Sequence, residues 1–264
     1  MTETYTHGHH ESVLRSHRRR TAANSAAYLL ERLTPGCDLL DVGCGPGTIT
    51  VDLARRLAPG RVVGVDSSAE VVETARQDAG EVANVEFRVG DAYRLPVEDA
   101  SFDAVHAHQL LQHLADPVAA LREMRRACRP TGVVGARDSD YTAMSWSPAD
   151  PALDRWLDLY RRAARANGGE PDAGRYLLGW AQRAGFSEVT PSASVWCFAT
   201  PDDREWWGGM WADRITGSAL ARQLVDEGTA TTAELEAISA AWRRWVAAPD
   251  GWFAIVHGEV LCTP

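Results

Sequence analysis

The sequence of 264 residues contains no lysine; all 27 of its basic residues are arginine. That excludes chemistry through a lysine Schiff base and any catalytic Tyr-x-x-x-Lys pair. Cysteine is scarce as well. Cys37, Cys44, Cys128, Cys197 and Cys262 are an odd set with no C-x-x-C spacing, so the thiols are expected to be free and mostly buried, in a reducing compartment. No apolar run approaches the length of a membrane span, and the opening MTETYTHGHHE is polar rather than a secretory leader. The expectation is a cytoplasmic protein with no membrane partner. Positive charge is in deficit, 27 Lys+Arg against 36 Asp+Glu for a net of −9. Such a surface repels phosphate backbones, so no nucleic-acid partner is expected. The clearest basic cluster, RSHRRR at 15–20, leads into an amphipathic stretch and reads as a solvated helix face. Apolar residues, at 45%, suffice for the core of one α/β domain with insertions.

Apolar spacing predicts a helix over 12–33, broken by Pro35 and Gly36. From residue 38 short apolar strands (38–43, 61–66, 84–89, 102–107 and 133–137) alternate with helical segments (48–57, 68–78 and 117–128). That alternation predicts a parallel sheet with helices on both faces. Beyond Asp138 the rhythm is lost. Residues 140–185 and 201–247 read as helical, with strands at 189–198 and 253–261, and all ten tryptophans lie between Trp146 and Trp252.

The segment Leu39-Leu40-Asp41-Val42-Gly43-Cys44-Gly45-Pro46-Gly47-Thr48 puts three glycines between a strand and a helix. Glycines there allow a sharp turn and a close approach of backbone to ligand, and the helix N-terminus offers free N–H groups. A dinucleotide fingerprint needs G-x-G-x-x-G; Thr48 stands where its last glycine would be. The spacing is G-x-G-x-G, with Asp41 ahead of it.

D-V-G-C-G-P-G resembles the first motif of the class I methyltransferases that use S-adenosylmethionine (SAM). Val63-Gly64-Val65-Asp66, Val89-Gly90-Asp91-Ala92 and Ser101-Phe102-Asp103-Ala104-Val105 extend the likeness over residues 37 to 139. The resemblance implies a Rossmann-like α/β fold with a seven-stranded, mostly parallel sheet in the order 3-2-1-4-5-7-6. An N-terminal helical lid (1–34) and helical substrate-cap inserts (about 140–185 and 201–247) go with it. It further implies SAM as cofactor and its demethylated form SAH as product. Asp41, Gly43, Cys44, Gly45, Gly47 and Thr48 would lie along the methionine part. Asp66, followed by Ser67, would accept from the ribose hydroxyls, Asp91 and Ala92 would meet the adenine edge, and His108 would lie near the methionine group.

The segment 106–117, HAHQLLQHLADP, lacks the Asn/Asp-Pro-Pro-aromatic motif of nucleic-acid methyltransferases and resembles the ubiquinone/menaquinone-type and other small-molecule members. That places His113 near the transferred methyl, facing substrate. A histidine titrates near neutrality and can serve as general base there. His106 reads as a satisfied core residue. The stretch around Tyr5, His7, His9, His10 and Glu11 resembles the N-terminal lead of bacterial small-molecule methyltransferases, where it acts as a lid. Tyr5 is then a candidate partner of His113 in catalysis, with a tail or a metal site as the alternatives; no second cluster with ligand spacing supports a metal. Asp138, Tyr141, Trp146, Tyr176, Trp180 and Trp207 are candidate substrate residues, since aromatic walls suit flat or cationic molecules and Asp138 and Asp140 could hold an amine. Packing in a core is the alternative for any one tryptophan. Trp207 and Trp211, at i and i+4, form either a pocket wall or the surface of a homodimer. The expected activity is methyl transfer to the O, N or C atom of a small aromatic or nitrogen-containing metabolite, such as those of natural-product biosynthesis. The rival is a protein of the same fold that binds SAM for a cyclisation.

Overall fold

The computed structural model describes residues 19–264. Tyr5, His7, His9, His10 and Glu11, and with them most of the expected lid, lie outside the described residues. The chain opens with two single helical turns, α1 (Ala22–Ser25) and α2 (Ala27–Leu30), and then alternates: β1 (Leu39–Val42), α3 (Thr48–Leu57), β2 (Val62–Asp66), α4 (Ala69–Ala79), β3 (Val85–Val89) and β4 (Phe102–His108). A 3₁₀ turn, Leu111–His113, precedes α5 (Pro117–Ala127) and β5 (Cys128–Ser147). Next come α6 (Pro151–Ala166), a second 3₁₀ turn (Ala173–Tyr176), α7 (Leu177–Ala184) and β6 (Glu188–Phe198). The chain closes with α8 (Pro201–Arg204), a π-helical turn (Glu205–Gly209), α9 (Met210–Gly217), α10 (Ala219–Asp226), α11 (Thr232–Ala247) and β7 (Trp252–Thr263).

The strands form one sheet in the order β3-β2-β1-β4-β5-β7-β6. The first five pair in parallel, and β7 runs antiparallel to both β5 and β6. This is the Rossmann-like order that the motifs implied. β1 is buried on both faces, which is why it reads as a continuous apolar run rather than an alternation. Leu39 and Val62 pack with Leu29, Ile49, Leu53 and Leu57 on one face. On the other, Leu40, Val63 and Val134 pack with Leu121, Met124 and Leu177 from α5 and α7. Local chemistry sets the helix starts: Asp116 and Asp150 accept from Ala119 N–H and Ala152 N–H, each followed by a proline at the first helical position. Among the described residues no helix is long and apolar enough to cross a membrane.

Two expectations need correction. In the described part of 12–33 the chain does not make one helix; a capping box between Thr21 and Asn24 closes a single turn that stops at Ala26. Residues 140–147, expected as helix, continue β5, because 138–147 zip against β7. The register jumps between Asp140 and Ser145, and this bulge carries Tyr141 and Met144 into a second core beside the sheet. The polar run 138–140 concealed the strand. In the fold its side chains find partners, Ser139 on Gln112 and Asp140 in a two-pronged pair with Arg175.

That second core holds most of the tryptophans. Trp156 is fully buried, with the rings of Trp211 and Trp242 edge-on at 4.6 and 4.9 Å. Gly208 lets the π-helical turn close on α11, since a Cβ there would lie 2.8 Å from the Trp245 ring.

Candidate functional site

The expected ligand residues gather at the carboxyl ends of β1, β2 and β3, the edge where open α/β sheets bind ligands. Gly43, Gly45 and Gly47 all have positive φ, at 70°, 53° and 79°. At Gly47 a Cβ would also strike the Phe87 ring at 2.7 Å. The loop is tied down by its own backbone: Gly43 N–H and Cys44 N–H donate to the Val65 carbonyl at 2.8 and 3.1 Å. Burial, with Asp41 and Asp66 nearby, raises the Cys44 thiol well above its ordinary range, so it stays protonated. Thr48 starts α3.

Asp66 connects loop and sheet. One carboxylate oxygen accepts from Gly45 N–H at 3.0 Å and the other from Ser68 N–H at 3.0 Å. A carboxylate has about four lone-pair sites, so acceptor capacity is left for a ligand's hydroxyls. Ser67 beside it is exposed, and so is Asp91, whose carboxylate accepts from Tyr93 N–H at 2.9 Å. Ala92 is half-buried against the core.

Asp41 lies below the loop. Its carboxylate accepts from the Thr50 hydroxyl at 2.6 Å and meets His106 Nδ1 at 2.8 Å, so it staples α3 to β4 across β1. His106 is buried as expected, but it is satisfied at Nδ1 alone: its Nε2 has no partner among the described residues.

At the end of β4, His108 is set against Arg137 (3.5 Å) and packs on the rings of Trp196 and His257. Burial first, then Arg20 and Arg137, push His108 well below its ordinary value. Gln109 follows with φ of 51°. Its side chain accepts from Arg20 at 2.6 Å and meets His257 Nε2 at 2.9 Å. Trp196 Nε1–H donates to the Asn24 carbonyl at 2.7 Å, so β6 and β4 together hold the segment 20–24. Beneath runs a buried ion pair. Arg137 Nε donates to Glu259 at 3.1 Å, and Ser192 and Ser194 donate to the same carboxylate.

His113 ends the 3₁₀ turn. Its Nε2 lies 3.1 Å from Gln112 Nε2, and burial with the positive charge of Arg20 pulls the imidazole down to about 3. It is neutral at physiological pH, and a base that weak is ill suited to proton abstraction near neutrality. Asp138 shifts the opposite way: burial raises it to about 7, against the pull of the Gln112 and Leu111 N–H groups and of Arg137 and Arg20. One of its oxygens accepts from Gln112 N–H at 3.3 Å; the other has no partner among the described residues.

The six candidate substrate residues fall into separate surroundings. Tyr141 stacks on Tyr160 at 4.3 Å, Trp146 on Phe253 at 5.6 Å and Trp207 on Phe198 at 4.9 Å, all within or against the second core. Tyr176 and Trp180 stack on each other in an outer groove of about 700 Å³, behind the Leu111–His113 turn. Asp138 bonds the turn that bears His113, accepting from Gln112 N–H. Asp140, read as an amine holder, is occupied by Arg175. Sequence reasoning missed Gln109, Gln112, Ser139 and the Arg137–Glu259 pair. The readable signal was Glu259 inside the mostly apolar β7; on β5, Arg137 stands beside the polar run 138–140 and gave none.

A family model for a methyltransferase domain matches residues 33–177. An uncharacterized methyltransferase of Schizosaccharomyces pombe is 33% identical over 267 residues, 97% of this chain and 95% of the yeast protein. A probable methyltransferase of Aspergillus luteorubrus is 30% identical over 282 residues, 99% of this chain and 97% of the fungal one. Among solved structures, phosphoethanolamine N-methyltransferase 2 of Haemonchus contortus in complex with S-adenosyl-L-methionine is similar with a TM-score of 0.57 at 18% identity, over 91% of this chain and 52% of that one. At that identity the likeness is one of fold.

Proposed function

We propose that this chain, which belongs to the class I SAM-dependent methyltransferases, methylates a small aromatic or nitrogen-containing metabolite at the carboxyl edge of its sheet, as in natural-product biosynthesis. The observation that carries the reading is the glycine loop: three left-handed glycines, with Gly45 N–H held by an Asp66 carboxylate that keeps acceptor capacity. Such a cradle suits the amino-acid and ribose parts of SAM. SAM bound there would supply a sulfonium methyl group for in-line transfer, a reaction governed by alignment.

Cys44, Gly47 and Thr48 would border the methionine part, Asp66 and Ser67 the ribose, and Asp91 and Ala92 the adenine. Asp41 acts from below, by fixing α3 against β4. On the substrate side, Gln109, His113 and Trp196 would supply polar and aromatic contacts, with the Arg20 guanidinium bonded to Gln109. This suits a small molecule, and the net charge of −9 disfavours a polynucleotide.

Calorimetric titration with SAM, SAH and NADH tests the cofactor. Micromolar binding of SAM and SAH, loss of both in Asp66→Ala with unchanged circular dichroism, and no heat from NADH are expected. Folded protein that binds neither SAM nor SAH would overturn the reading. A screen for metabolites that gain the mass of one methyl group then identifies the acceptor.

A further inference from the structure

Gln109 follows β4 directly with a left-handed backbone, φ 51°, a conformation that side chains other than glycine rarely adopt. Such a conformation persists only where its surroundings hold it. Here they hold it at three points. The Gln109 N–H donates to the Arg137 carbonyl at 2.7 Å. Its Oε1 accepts from Arg20 at 2.6 Å, and its Nε2 lies 2.9 Å from His257 Nε2. A guanidinium only donates, so the acceptor end of the amide is fixed on Arg20 and the NH₂ on His257. One half-buried side chain thus spans from the segment 20–24 to β7.

The left-handed φ also decides where the chain goes next. Leu110 lies on Gly43, the first glycine of the loop: a Cβ on Gly43 would stand 2.8 Å from Leu110 Cδ1 and 3.2 Å from Leu110 Cβ. An ordinary φ at Gln109 would carry Leu110 off that seat. The 3₁₀ turn that ends at His113 starts one residue later. Gly43 and Cys44 are in turn bonded to the Val65 carbonyl at the end of β2.

We propose that Gln109 is a positioning residue that transmits the placement of Arg20 to the glycine loop, through Leu110 on Gly43. The loop and the turn bearing His113 are then set together by the segment 20–24, which serves a reaction governed by alignment. Only the identity of the ligand in the loop rests on the methyltransferase reading; the coupling does not. A second route from that segment runs through α3, where Ala22 N–H donates to Asp52 at 2.8 Å. Gln109 has no part in that route.

The test is a ¹H–¹⁵N correlation spectrum of the full chain, labelled at its five cysteines and without added ligand. The Cys44 signal is identified by its loss in Cys44→Ala, and Cys128, at the start of β5, is the control. Arg20→Ala is expected to shift the Cys44 amide signal and leave that of Cys128 in place. Gln109→Gly and Gln109→Asn allow the left-handed backbone but give up the contacts with Arg20 and His257. Added to either, Arg20→Ala should produce no further Cys44 shift, the mark of a coupled pair. Either Gln109 variant decides, so one that fails to fold does not shield the proposal. A Cys44 signal that Arg20→Ala leaves unmoved would overturn it. So would an equal shift in the Gln109 variants, which would assign the effect to Asp52 and α3. Absence of SAH binding would instead sink the proposed function and leave these spectra unchanged.

Discussion

Gly47 shows how narrow the tolerance of the glycine loop is. Its φ of 79° and the Phe87 ring 2.7 Å from any Cβ oppose every other residue. Gly47→Ala should cost about 1–3 kcal/mol of stability from backbone strain and crowding, seen in urea titrations, together with weaker SAH binding by calorimetry. Asp138 and the buried histidines give stability two opposite dependences on pH. Asp138 rises from 3.8 unfolded to about 7 folded, so the folded state binds the extra proton between those values. Its stabilising contribution is complete below 3.8 and is lost as pH rises toward 7, by roughly 4 kcal/mol at most. Asp138→Asn should therefore gain on the wild type as pH goes from 4 to 8 in parallel urea titrations; a constant difference would refute this. His113, His108 and His257 are all lowered by burial first. The unfolded chain takes up their protons first, so stability from these groups is lost as pH falls below their ordinary 6.5.

Between elements, β5 and β7 carry the strongest coupling. Arg137 and Glu259 face each other in register, both buried. Removing one partner leaves a buried charge, so Glu259→Ala should cost about 3–5 kcal/mol, whereas replacing both residues with methionine should recover most of that loss. Chemical denaturation of the three variants checks it. The second core depends in the same way on Trp156, wedged between Trp211 and Trp242. Trp156→Ala should lose about 3–5 kcal/mol, with near-ultraviolet dichroism collapsing before SAH binding does. Helices α3, α4 and α5 were legible in the sequence because their apolar faces are local, and α4 and α5 also carry their own side-chain caps, Ser68 and Asp116. The strand at 138–147 was not, since Ser139 and Asp140 find side-chain partners on Gln112 and Arg175 from other segments.

Over the whole molecule, one sheet carries two bodies of packing. The parallel half presents the glycine loop, Asp66 and Asp91 at one edge. The antiparallel half, β5-β7-β6, joins the sheet to a tryptophan-rich helical core. The net charge of −9 predicts no retention by immobilised RNA even at low salt; salt-sensitive retention would reopen the question of substrate class.

What the sequence by itself determined is the parallel half and the place of its glycine loop, Asp66 and Asp91. There each strand, loop and helix is contiguous: Gly43 to Gly47 follow β1 directly, Asp66 ends β2 and Asp91 follows β3, so turn chemistry and apolar periodicity sufficed. The tertiary structure alone decided which aromatic residues are core, that Asp140 is taken by Arg175, and that Ser139, Gln112 and His113 form one chain of contacts. Those outcomes depend on segments that meet only after the sheet has formed, such as Arg137 and Glu259 at a separation of 122 residues, and no local pattern encodes such a meeting.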